Sequence, residues 1–202
     1  MLELESLSTV IFLLLTLLSY LLGSISFGII LARLFHLGNL REMGSGNIGT
    51  TNVLRTGNYW AAGLTLLLDF VKGLIPVLVA IFILTEPIQI QVVALVSFMG
   101  HLYPIWHRFK GGKGVATFFG IVFGISFSCG IICALVWLAC AVLSRIASLS
   151  ALVAVWAFPI GLILFGLTDY LYLSGILIVM VWFRHHSNLK RLLAGNEAKI
   201  KF

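Results

Sequence analysis

Three polar segments of this 202-residue chain carry residue types suited to holding anions. The first, GSGNIGTTNVLR at 44–55, sets Gly44, Gly46 and Gly49 among the short hydrogen-bonding side chains of Ser45, Asn47, Thr50, Thr51 and Asn52. Glycines let a backbone curl and turn its N–H groups to one side, a geometry that binds anions. Arg55, at the end of the run, can grip a phosphate through two parallel bonds. A helix–helix connection ordinarily needs about 2–8 residues, so a longer, polar, small-residue segment points to binding. The second segment, RFKGGKGVAT at 108–117, flanks Gly111 and Gly112 with Lys110 and Lys113, and Gly114 comes just before an apolar run. A helix N-terminus there would present N–H groups and a positive dipole to an anion. It is not a Walker A loop, because Lys113 is followed by Gly114 rather than Ser or Thr. A plain basic cluster needs only charge, whereas here the lysines are interleaved with glycines. The third segment, HHSNLKRLLAGNEAK at 185–199, places Asn188 three residues after His185, on the same face of a helix. Imidazole is the side chain most readily used as a base near neutral pH. Leu189, Leu192 and Leu193 among Lys190 and Arg191 also read as an interfacial amphipathic helix.

The elements that must position these segments are membrane helices. Hydrophobic residues make up 60% of the chain and charged ones 10%, against roughly 25% charged in a soluble domain. Such a surface suits lipid. Apolar stretches run over 7–32, 59–84, 90–106, 115–124, 129–143, 147–165 and 170–183. In hydrocarbon each segment must satisfy its own backbone, so all seven are expected to be helices. Whether 115–143 is one helix or two turns on Ser126, in GISFS at 124–128. A break there puts Arg33–Arg55, Arg108–Lys113, Arg145 and the basic tail on one face, with Glu3, Glu5, Glu86 and Asp169 on the other. That distribution obeys the positive-inside tendency. The expectation is an all-α polytopic membrane protein of about seven transmembrane helices, one domain over 1–202, with the N-terminus outside and the C-terminus cytoplasmic. MLELES lacks the basic n-region of a signal peptide, so the first run is expected to be a retained helix. The net charge of +6 is then a topological signal, and nucleic acid is not expected as a partner.

Within the apolar runs, Asp69 and Lys72 stand three residues apart. Their pairing is a sufficient structural reason for both, although charges inside a membrane are also functional candidates. His101 in GHLYP is read as a hydrogen-bonded core residue or a substrate contact. Cys129, Cys133 and Cys140 share one apolar run with no His or carboxylate to complete a metal site, and read as buried thiols. No metal or cofactor is expected.

The three motifs together resemble those of the bacterial acyl-phosphate-dependent glycerol-3-phosphate acyltransferases, the PlsY family. GSGNIGTTN, FKGGKGVAT and the ending His-x-x-Asn…Arg-Leu-Leu-x-Gly-x-Glu-x-Lys occur in order, and the likeness runs from Leu21 onward. The resemblance implies transfer of a fatty acyl group from acyl phosphate to the 1-hydroxyl of glycerol 3-phosphate, giving lysophosphatidic acid and phosphate. It implies a catalytic role for Ser45 and binding roles for Gly44, Asn47, Thr51, Asn52 and Arg55, with Ser45 and Arg55 foremost. Lys113, with Lys110, Gly111, Gly112 and Gly114, matches a glycerol-phosphate-binding loop. His185 and Asn188 match the third motif, in which Glu197 is structural. Membrane lipid and an acyl-phosphate-forming enzyme are the partners it suggests, at the bacterial inner membrane with the site on the cytoplasmic face. Two positions depart from the family pattern: Thr50 stands where alanine is usual, and His186 where a basic residue is usual.

The chemistry agrees with the residues. Phosphate is a good leaving group, so little general-acid help is needed, while a hydroxyl nucleophile benefits from a base. His185 is the side-chain candidate and the substrate's phosphate the alternative, and donors such as Ser45 and Asn47 can stabilise a developing oxyanion. A phosphate transporter would place polar residues near the bilayer midplane, but here they gather at one face. A CDP-alcohol phosphotransferase needs clustered aspartates, and the chain has only Asp69 and Asp169.

Overall fold

The structure is a computed structural model that describes residues 2–200. Met1, Lys201, Phe202 and the side chains of Glu3 and Glu5, on which part of the charge argument rests, lie outside the described residues. Every regular element among the described residues is helical: α1 Leu2–Ser24, α2 Phe27–Leu34, α3 Thr50–Leu54, α4 Tyr59–Ile83, α5 Pro87–Leu102, α6 Val115–Ile125, α7 Phe127–Ser144, α8 Ala147–Ala154, α9 Ala157–Leu164, α10 Leu171–Arg184 and α11 His186–Leu193. Short 3-10 turns occupy Ile105–His107 and Thr168–Tyr170. Two compact units divide the chain between Gly124 and Ile125.

Among the described residues, five segments are long and apolar enough to cross a bilayer: Ser6–Ser24, Tyr59–Ile83, Pro87–His107, Phe127–Ser144 and Ala147–Leu164. The other two expected spans are shorter. At 1.5 Å per residue, α6 reaches only about 16 Å and α10 about 21 Å, against a hydrocarbon core of about 30 Å. The expected break near Ser126 is present. Ser126 is the N-cap of α7, and its Oγ accepts a hydrogen bond from the Cys129 N–H at 3.3 Å. Two stretches expected to be single helices are instead interrupted. The 7–32 run breaks between α1 and α2, and the 147–165 run breaks between α8 and α9.

In the first unit, small residues bring helices together. A Cβ on Gly23 would strike the Ser97 carbonyl, and one on Gly100 would strike that of Tyr20, so α1 and α5 touch backbone to backbone. Gly73 and Gly120 do the same for α4 and α6. Close approach through small residues is how helices associate where lipid removes the hydrophobic drive. Leu13, Leu14, Leu17 and Leu18 of α1 remain more than half exposed, as a lipid-facing surface requires.

Lys72 joins two defects in this packing. Pro76 sits inside α4 and has no N–H to offer the Lys72 carbonyl four residues back. The Ser97 hydroxyl from α5 donates to that carbonyl instead, at 2.9 Å. The second defect is the α1–α2 break, where the Ile29 N–H bonds Ser26 rather than Ile25. The Ile25 carbonyl takes its hydrogen bond from Lys72 Nζ, at 2.7 Å. Asp69 Oδ1 lies 2.7 Å from the same ammonium, and the Phe27 ring centroid lies 5.6 Å from it. The expected Asp69–Lys72 pair is therefore present, and its cation holds a backbone break closed.

Leaving a buried carbonyl without a donor costs about 1–3 kcal/mol. Ser97→Ala should therefore lower the unfolding midpoint in a fixed detergent. In a Pro76→Ala background, where an N–H is restored to the Lys72 carbonyl, the same substitution should cost clearly less. An equal loss in both backgrounds would contradict this account.

Candidate functional site

The first motif rests on a small apolar floor. Ala32 of α2, Leu40, Val53 of α3 and Ala61 and Ala62 of α4 form a buried cluster, with Phe35, Leu37 and Leu54 packed on it. Asn58 caps α4 by accepting the Ala61 N–H at 2.9 Å. On this floor the loop is tied by Asn52, which is 2% exposed. Its Nδ2 donates to the carbonyls of Leu40 at 2.8 Å and Met43 at 3.1 Å. Its Oδ1 accepts from the Ser45 N–H at 3.0 Å and lies 3.4 Å from Ser45 Oγ. Sequence reasoning gave Asn52 a substrate contact, yet its whole amide is engaged inside the loop.

Gly44 has a φ of +52°, and a Cβ there would sit 2.5 Å from Asn52 Oδ1 and 3.1 Å from Arg55 Cδ. Glycine thus lets the arginine lie against the loop. Ser45, Thr51 and Arg55 are exposed and Asn47 is half-buried. This group is what the first motif offers to a ligand.

The second motif is fastened to the end of α5. The N–H of Gly111 donates to the Leu102 carbonyl at 3.1 Å, and that of Gly112 to the His101 carbonyl at 3.2 Å. These are the last carbonyls of α5, which have no partner within their own helix. The two glycines therefore act as a C-terminal clasp, where the sequence suggested part of an anion site at a helix N-terminus. A Cβ at either would collide, on the His101 carbonyl for Gly111 and on the His101 ring for Gly112. His101 Nδ1 in turn lies 3.8 Å from Asp69 Oδ1, so the buried charges of α4 back the clasp. Gly114, with a φ of +80°, passes under the Phe98 ring. Lys113, half-buried, is delivered by this clasp to the start of α6. Lys110 is exposed, and its carbonyl accepts from Arg41 Nη2 at 2.6 Å.

In the second unit, His185 closes α10 and opens α11. It is 2% exposed, with Nδ1 at 2.8 Å from the Val181 carbonyl. A carbonyl only accepts, so this contact puts the proton of a neutral ring on Nδ1 and the lone pair on Nε2. His186 is exposed, and its Nδ1 lies 3.1 Å from the Phe183 carbonyl. Asn188 is buried. Its Nδ2 donates to Glu197 Oε1 at 2.5 Å, which leaves Oδ1 buried without a hydrogen-bond partner among the described residues. Glu197 also receives Ser148 Oγ at 2.8 Å and Arg191 Nε at 2.6 Å. Burial opposes ionisation of this carboxyl, but the bonds from Arg191, Asn188 and Ser148 outweigh it and hold its pKa below the ordinary glutamate value. Ser148 was missed by sequence reasoning; a hydroxyl in the first turn of an apolar helix was the available signal.

Polar loops clasped onto helices of lipid-facing composition define an integral membrane protein with a candidate phosphate site. Comparison with known proteins agrees. The family model described as Glycerol-3-phosphate acyltransferase matches residues 13–195. A glycerol-3-phosphate acyltransferase of Cereibacter sphaeroides is 51% identical over 183 residues, which is 91% of this chain and 87% of that one. One from Bartonella quintana is 49% identical over 191 residues, covering 91% and 89%. A crystal structure of PlsY (YgiH), an integral membrane glycerol 3-phosphate acyltransferase in its glycerol 3-phosphate form, superposes with a TM-score of 0.89 at 38% identity, over 94% of this chain and 96% of that one. The lysophosphatidic acid form gives 0.85 at 36%, over 94% and 95%. The chain belongs to the glycerol-3-phosphate acyltransferase family.

The Glu197 clamp predicts a pH dependence with a definite sign. A carboxyl whose folded pKa is depressed stabilises fully above its unfolded value, near 4.5, and loses that contribution as pH falls through the folded value. Hydrogen-exchange protection of α11, corrected for intrinsic rates, should be flat above that range and decline below it. Glu197→Gln should lower protection at neutral pH and abolish the acid decline; a variant that kept the decline would exclude Glu197 as its source.

Proposed function

We propose that the chain transfers a fatty acyl group from acyl phosphate to the 1-hydroxyl of sn-glycerol 3-phosphate, releasing lysophosphatidic acid and inorganic phosphate. The observation that carries this reading is the whole-chain likeness to PlsY, a protein with a glycerol 3-phosphate form and a lysophosphatidic acid form. The substrate hydroxyl oxygen attacks the acyl carbonyl carbon, the carbon–oxygen bond to phosphate breaks, and the hydroxyl proton passes to a base. Arg55 and Lys113 neutralise phosphate, aided by Ser45, Asn47 and Thr51, with Lys110 peripheral. Gly44, Asn52, Gly111, Gly112 and Gly114 act by holding those side chains in place.

His185 is the base: its Nδ1 bonds the Val181 carbonyl, which sets the tautomer of the neutral ring with the lone pair on Nε2. Asn188 orients the hydroxyl through Oδ1, and Glu197 holds the amide in that sense. The acyl chain of the donor stays in lipid. The charge distribution supports seven crossings of the bacterial inner membrane within one catalytic domain, with the N-terminus outside and the motifs and tail cytoplasmic. An acyl-phosphate-forming enzyme is the natural supplier of the donor.

The test is purified protein given acyl phosphate and glycerol 3-phosphate, with phosphate release followed. No release would sink the reading. A bond to a charged group is worth about 1.5–3 kcal/mol, so Arg55→Ala and Lys113→Ala should each cut kcat/KM for glycerol 3-phosphate by roughly ten- to a hundredfold or more. His185→Ala should lose turnover in the range of about 10²–10⁴-fold expected of a base, and His186→Ala far less. A loss below tenfold with an unchanged pH–rate profile would assign the proton to the substrate's own phosphate. Activity should survive EDTA.

A further inference from the structure

A cavity of about 570 Å³ opens beside the first motif, and no residue of 44–55 lines it. Arg33 of α2, His36 and Arg41 of the following connection, and His107 of the 3-10 turn face it, and no Asp or Glu does. Glu42, next to Arg41 in sequence, is engaged by Asn39 Nδ2 at 2.6 Å. Arg33 and Arg41 both lie within electrostatic range of His107. The positive-inside tendency accounts for arginines on this side of the membrane, but not for two histidines joining them around one hollow. Nor does topology require the left-handed backbone at His36, φ 54°, and Gly38, φ 82°, that turns the chain around it.

Arg41 is anchored rather than adrift. A guanidinium has five N–H donors, and one of them goes to the Lys110 carbonyl, which fixes the plane while the others remain for a ligand. The remaining wall combines Gly38 and Asn39 with an apolar side from Ile29 and Ala32 of α2 and from Leu40. Beside His107, Ile105, Trp106 and Phe109 are exposed, the residue types that anchor at the lipid–water boundary. A free phosphate ion would occupy a small part of such a volume and touch only its cationic side.

We propose that this cavity binds the phosphate head of a membrane amphiphile, its chain leaving along the apolar wall of α2, at a site separate from the Ser45–Arg55 group. The occupant lies one hydrogen bond, Arg41 to Lys110, from the second motif.

The full chain in uncharged detergent micelles tests this with dodecyl phosphate as the amphiphile and inorganic phosphate as the free ion. Dodecyl phosphate should raise the unfolding midpoint of the wild type and, with the Ser45–Arg55 group weakened, still raise that of Arg55→Gln. The Arg33→Gln/His107→Gln variant should need about ten times more for the same shift, the loss expected for one charge-assisted bond. His36→Gln, a surface change, should act in the same direction and guards against a folding defect in the double variant. Inorganic phosphate at matched concentration should shift the midpoint far less. A wild-type response in all three cavity substitutions, a loss of response in Arg55→Gln alone, or no response in the wild type would overturn the site. A full response to inorganic phosphate would overturn the amphiphile.

Discussion

Backbone groups inside a membrane have no water to bond to, and every interruption of a helix must be repaired by another part of the protein. In the first unit this constraint converges on Lys72. Its ammonium repairs the carbonyl of Ile25 at the α1–α2 break, and its own carbonyl, orphaned by Pro76, is repaired by Ser97. Asp69 balances the charge. Removing one partner of a buried pair leaves an uncompensated charge, which costs about 3–5 kcal/mol. The pair is thus tied to the α1–α2 break itself. The break matters because α2 carries Ala32, a member of the apolar floor beneath the first motif.

The same requirement explains the glycines of the second motif. The carbonyls of His101 and Leu102 end α5 with no intrahelical acceptor role left to fill, and the N–H groups of Gly111 and Gly112 come back to meet them. Only glycine fits, because a side chain would run into the His101 backbone or ring. Asp69 reaches His101 from the other side at 3.8 Å. One chain of contacts therefore leads from the repaired break, through a buried carboxylate and an imidazole, to the loop that presents Lys113.

Much of this was legible in the sequence, and the rest was hidden for physical reasons. Composition marks the membrane helices, and the Ser126 break could be read from charge asymmetry because a single helix would have split the basic segments. The breaks near Ile25 and Val155 leave no such mark, since neither moves a charge across the bilayer. The polar character of GSGNIGTTNVLR and FKGGKGVAT was plain, but composition cannot tell a group that faces a ligand from one that closes its own loop. Asn52, Gly111 and Gly112 look like binding residues by type and are fasteners by geometry. Ser97, Ser148 and Arg41 were overlooked because each acts on a backbone or carboxylate partner distant in sequence.

That distinction changes what the motifs do chemically. A Gly-rich segment with free N–H groups would bind phosphate diffusely, through many weak dipoles. Here the N–H groups of Gly111 and Gly112 are consumed, and Asn52 draws the Ser45 N–H inward as well. In the proposed site the burden of binding phosphate falls on a few long side chains, Arg55 and Lys113 above all, each standing on a rigid clasp. In the second unit Glu197 is a fastener of the same kind: it fixes the Asn188 amide by its nitrogen, which leaves the amide oxygen buried without a hydrogen-bond partner among the described residues. A buried acceptor held without a donor costs stability, a cost that any donor reaching Asn188 Oδ1 would offset.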